Sequence, residues 1–123
     1  MRPELATLAL GDSPQAWQRL GFTITGSGEN EIALGGMRLC LGADGDGIVG
    51  WTFYNLPDGN LDGLNASPAS GSPPAPVEHP NTASAVDHVV ALTPDFDRTV
   101  GRLREAGLDY RRTRDAGDGA REP

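Results

Sequence analysis

The chain has 123 residues, of which 37% are hydrophobic and 6% aromatic, and it spends 17 positions on Gly and 10 on Pro; this is one domain's length, with material for a thin core of Leu, Val and Ile. The ten basic residues are all arginine, and 17 acidic residues leave a net charge of −7, which argues against a nucleic-acid backbone or an anionic membrane as partner. One cysteine, Cys40, excludes an internal disulfide, no signal peptide precedes it, and no apolar run reaches the length of a membrane span, so a cytoplasmic protein is expected.

Residues 4–10 (ELATLAL) alternate as a strand does. Ser13 is a natural N-cap and Pro14 suits the first helical position, so a two-turn helix is predicted over 14–20, closed by Gly21, with Trp17 and Leu20 facing the sheet. A second strand is predicted over 22–26. A hairpin or bent strand follows over 31–34 and 37–41 around Gly35-Gly36, then a polar turn over 43–47. The most strand-like stretch is 48–56 (IVGWTFYNL), and it completes a β-α-β-β-β order within residues 1–64.

Residues 65–84 are rich in Pro, Ser and Ala and cannot bury an apolar face, so they read as a linker, partly polyproline-like, in which His79 is expected to be solvated. A strand is predicted over 86–92. Pro94-Asp95 then opens a helix whose Phe96, Val100 and Leu103 fall on one face and which Gly107 closes; Asp95 and Asp97 sit where negative charge suits the helix dipole. A last strand over 108–113 leads to a polar tail over 116–123. Arg111, Arg112 and Arg114 read as solvated charges on an exposed strand edge rather than an anion site.

Several apparent motifs fail on inspection. Asp44-Gly45-Asp46-Gly47 is calcium-loop-like, but Gly42 and Phe53 occupy positions where ligands are required. Gly26 and Gly28 lack the third glycine and the following helix of a dinucleotide fingerprint. Cys40, between Leu39 and Leu41, reads as a buried inert thiol, and no Ser/His/Asp or Cys/His arrangement has local support, so no catalytic residue is assigned.

The two halves begin alike. Leu8-Ala9-Leu10 aligns with Val90-Ala91-Leu92, and Gly21-Phe22 with Gly107-Leu108; the interval between these landmarks is longer in the second half by about one helical turn. The repeat, the strand and turn DHVVALTPD, the helix end LREAGL and the β-α-β-β-β order together resemble the vicinal oxygen chelate (VOC) superfamily of glyoxalases, extradiol dioxygenases and bleomycin-resistance proteins.

The resemblance implies an α+β fold: a βαβββ module over 1–64, the linker over 65–84, and the truncated strand-helix-strand start of a second module over 85–123, with a mixed curved sheet and helices on one side. In that family paired modules enclose a cup, and the histidine of a D-H-V strand is often a metal ligand. Asp87-His88-Val89 matches that strand, which makes His88 the one metal candidate; Ala6 stands at the aligned position of the first half. A catalytic metal takes about three protein ligands. No cofactor is therefore expected, and a divalent metal only if a partner chain supplies further ligands.

Alternation places Trp51 and Phe53 on one face of their strand, opposite Thr52 and Tyr54. Trp51, Phe53 and His88 are the expected ligand-pocket residues, for a small molecule held in a cup between modules. Two alternatives stay open. One is an assembly unit that completes its sheet as a homodimer. The other is a truncated fragment of a longer VOC metalloenzyme, a lyase or dioxygenase. Whether the chain is an enzyme is left open.

Overall fold

A computed structural model describes residues 2–57, 61 and 63–109, together with the backbone of 114–115 and 121–122. The elements run β1 (Glu4–Leu10), α1 (Pro14–Arg19), β2 (Glu31–Leu34), β3 (Met37–Cys40), β4 (Ile48–Tyr54), β5 (Ala66–Pro68), α2 (Phe96–Glu105), β6 (Arg114–Asp115) and β7 (Arg121–Glu122). The fold is α+β. A five-stranded mixed sheet has the order β2-β3-β1-β4-β5, and β6 and β7 form a separate antiparallel pair. Among the described residues, no helix is long and apolar enough to cross a membrane.

One face of the sheet holds the core. Ile32, Leu39, Leu8 and Trp51 stand opposite one another across four successive strands, so their side chains project to the same side. Trp17 of α1 and Leu103 of α2 both pack on this face, the first against the Leu8–Ile32–Leu39 cluster and the second against Phe53. The opposite face carries the more polar set, including Arg38, Thr7 and Thr52, and the hydroxyls of Thr7 and Thr52 are hydrogen-bonded at 2.7 Å.

The β1–β4 ladder slips twice. Leu5 pairs with Phe53 but Thr7 with Thr52, leaving Ala6 as an extra residue in β1; Ala9 pairs with Gly50 but Leu10 with Ile48, leaving Val49 extra in β4. Without the first bulge, the period of two would put Leu5 and Leu8 on opposite faces. With it, both leucines reach the apolar face, opposite Phe53 and Trp51.

Helix ends follow local chemistry. The Ser13 hydroxyl accepts from the backbone N–H of Ala16 at 3.3 Å, Pro14 opens α1, and Trp17 Nε1 donates to Asp12 at 2.9 Å. Asp95 caps α2 by accepting from Arg98 N–H at 3.1 Å. The C-terminus of α2 closes in a Schellman motif: Leu108 N–H donates to Leu103 C=O at 2.8 Å and Gly107 N–H to Arg104 C=O at 3.0 Å. Gly107 takes φ +91° there. Thr99, fully buried on the inner face of α2, shares a 2.7 Å hydrogen bond with the buried hydroxyl of Thr93.

Four expectations are corrected. Leu20 does not face the sheet and is 66% exposed, because α1 stops at Arg19 and Leu20 is already the cap residue, with ψ 3° off the helical path. Residues 22–26 form only an isolated bridge, Thr25 to Glu31; the Thr23 N–H that a ladder would use donates instead to His79 Nδ1 at 3.0 Å.

His79 is therefore not solvated: it is 5% exposed, with Nε2 2.7 Å from the carbonyl of Ala33 on the outer edge of β2. The segment 65–84 is tied down at both ends. At its start β5 pairs with β4 and Ala69 N–H donates to Phe53 C=O at 2.9 Å. Near its end the Asn81 side chain donates to Leu20 C=O at 3.0 Å and its backbone N–H to Gly21 C=O at 3.2 Å.

Finally, residues 86–92 belong to no strand. Their β-propensity is matched by no ladder; instead Val86 and Val89 pack onto the core while Val90 is 45% and Leu92 61% exposed. Of the strand expected over 108–113, positions 110–113 lie outside the described residues, as do the side chains of Arg111, Arg112 and Arg114.

Candidate functional site

The apolar face of β1 and β4 is not fully covered. Between it, the stretch 85–91 and the end of α2 lies an open cavity of about 800 Å³. Leu5, Trp51 and Phe53 line it from the sheet, Leu34, Gly35 and Met37 from the β2–β3 turn, Val86, His88 and Val89 from the crossing stretch, and Leu103 and Leu108 from the Schellman motif.

The three residues read from the sequence as pocket residues, Trp51, Phe53 and His88, thus meet in one cavity. Trp51 and Phe53 pack ring to ring with centroids 5.0 Å apart at 59°. The indole N–H is held by the carbonyl of Leu64 at 2.7 Å, which fixes the ring and removes its donor. Phe53 is itself buried in the second core cluster, so it both supports the sheet and walls the cavity.

Gly35 makes room for the crossing stretch. At φ +58°, a Cβ there would stand 2.8 Å from the carbonyl oxygen of Ser84 and 3.1 Å from the Ala85 side chain. Only glycine lets residues 84–85 pass so close to the β2–β3 turn.

His88 is exposed, with Nδ1 2.7 Å from an Asp87 carboxylate oxygen. Among the described residues, no group of three His, Cys, Asp or Glu side chains could hold a metal ion.

Cys40 lies half-buried on the other face of the sheet. Burial pushes its thiol pKa up, the Glu31 carboxylate adds to that, and Arg38 opposes it. The thiol is thereby kept away from the thiolate form that nucleophilic chemistry requires.

The alternation that marked Trp51 and Phe53 gave no sign of Leu5, because the bulge at Ala6 breaks the period. Leu103 was legible as a core position of α2; that it also walls a cavity was not. The resemblance alone pointed to His88. The chain matches no family model, no curated protein and no solved structure.

Proposed function

We propose that the protein is a cytoplasmic small-molecule-binding protein of the glyoxalase and bleomycin-resistance kind. On this reading β1-α1-β2-β3-β4 is a VOC-like βαβββ module, and residues 85–109 belong to a second one that closes the cup. What carries the reading is that His88, distant in sequence from Trp51 and Phe53, lines one largely apolar cavity with them. Its volume of about 800 Å³ suits a drug-sized ligand. The protein acts by holding its ligand, without a resident metal.

Titration with the neutral probe N-phenyl-1-naphthylamine tests this. A saturable one-to-one rise in probe emission is expected, weakened about two- to tenfold in Trp51→Leu for the lost aromatic contact. An emission rise that never saturates, or one indifferent to Trp51→Leu, would sink the reading.

A second reading has one observation in its favour. Residues 86–92 expose Val90 and Leu92 and pair with no strand, so this stretch also suits a second copy of the chain, in a homodimer that completes the β-structure.

A further inference from the structure

We infer that residues 84–92 form a strap that lifts from the cavity and closes over a bound ligand, moving between fixed ends at Asn81 and Thr93. The inference rests on the small-molecule reading above and adds how the ligand enters and leaves.

Both ends are tied. The Asn81 side chain donates to Leu20 C=O at 3.0 Å and accepts from Ala83 N–H at 3.0 Å, and Thr82 N–H donates to His79 C=O at 2.8 Å. At the other end Thr93 is buried. Its hydroxyl is bonded to that of Thr99 at 2.7 Å and accepts from Asp95 N–H at 3.1 Å.

Between these ends the attachment is weak. Residues 84–86 and 88–92 share no backbone–backbone hydrogen bond with another described residue. Val86 and Val89 pack onto the core, each only partly buried. Yet residues 85–89 and Ala91 make one side of the cavity. A segment with few buried apolar contacts and no ladder opens at lower free energy than the sheet it rests on. The facing side is fixed, because Leu5 and Phe53 are paired in the β1–β4 ladder and Leu64 C=O holds the Trp51 ring. Of the two sides, the strap is the one that moves. An apolar ligand seated against Trp51 offers Val86 and Val89 surface that the open cavity lacks, so binding favours the closed strap.

The test uses the full chain and N-phenyl-1-naphthylamine, with emission followed by stopped flow or temperature jump. The observed rate should level off as probe concentration rises, because strap movement becomes the slow step. Asn81→Ala frees Ala83 N–H and lengthens the mobile segment, and Asn81 is not part of the lining. Association and release should both speed up about two- to tenfold, as for one lost hydrogen bond, with Kd changed by less than about twofold. Val90→Ala, exposed and outside that lining, should change neither rate. Cleavage by thermolysin, which cuts ahead of apolar residues, needs no variant. The first cut of the native chain should fall within 84–92, and the probe should slow it with the half-saturation of the emission titration.

An observed rate that stays linear in probe concentration, or rates indifferent to Asn81→Ala, overturns the strap while the binding reading stands on its saturable emission. Faster release in Asn81→Ala with association unchanged shows a weakened fixed wall and also overturns it. A cut within 84–92 that the probe does not slow does the same. An emission rise that never saturates overturns the small-molecule reading and the strap with it.

Discussion

The Nε2–H of His79 donates to the carbonyl of Ala33 at 2.7 Å while its Nδ1 accepts from the backbone N–H of Thr23 at 3.0 Å. A backbone N–H can only donate, so Nδ1 is the bare nitrogen and the tautomer is fixed. One side chain from a Pro-rich segment thus satisfies the outer edge of β2 and the chain that would otherwise have paired there. An unpaired strand edge invites association, and here an imidazole covers it.

His79→Ala should destabilise the fold by about 2–3 kcal/mol, because it leaves both backbone groups without partners and opens a void beside Phe22. His79→Leu fills the void without restoring the bonds. Urea denaturation should rank wild type above His79→Leu, and both above His79→Ala. A His79→Leu protein as stable as wild type would show that only volume matters.

The Schellman turn at the end of α2 sets part of the cavity wall. Gly107 holds φ +91°, and a Cβ there would come 3.0 Å from Pro3 Cδ. Gly107→Ala should cost about 1–2 kcal/mol for the positive φ alone. Leu103 and Leu108 move with this turn, so the neutral naphthylamine probe should also bind more weakly. Stability lost with binding intact would separate the turn from the cavity.

Legibility in the sequence followed the range of the interaction. Both helices were readable because Ser13, Pro14, Asp95 and Gly107 act within a few residues of themselves. The strands over 22–26 and 86–92 were over-read because strand propensity says nothing about whether a partner edge is free; in the first case His79 occupies the place. β5 was missed because Ala66, Ser67 and Pro68 have no strand character, and only the parallel edge of β4 makes them one. In the site, period two found Trp51 and Phe53 but could not find Leu5, whose face depends on one extra residue at Ala6.

Cys40 gives a prediction in pH. Its thiol pKa is raised above the ordinary 9.0, by burial first and by Glu31 second. Between the ordinary value and the raised one, the unfolded chain binds fewer protons than the folded one, so stability falls as pH rises through that window. Below 9.0 the thiol contributes no pH dependence. Iodoacetamide should accordingly label native Cys40 more slowly than the urea-unfolded chain at the same pH, with the native rate rising only at more alkaline pH. Arg38→Gln removes the opposing charge and should slow native labelling further; equal rates for folded and unfolded protein would contradict the desolvated site.

The exposed stretch beside the cavity bears on assembly. Val90 and Leu92 project from residues that pair with no strand, while Val86 and Val89 of the same stretch pack inward. A second copy laid against this stretch would cover both side chains and supply the missing ladder, and a stable pair needs roughly 800 Å² buried on each side. Light scattering over a concentration series should then give a dimer mass that falls to the monomer on dilution. Leu92→Glu should keep the monomer folded, since it replaces an exposed residue, and should abolish the dimer because the new charge would be buried without a partner. The monomer's affinity for the neutral probe should survive, since Leu92 is not part of the lining. A wild-type chain that is monomeric throughout removes the homodimer and leaves the exposed valine and leucine as ordinary surface. A dimer that persists in Leu92→Glu moves the interface elsewhere on the molecule.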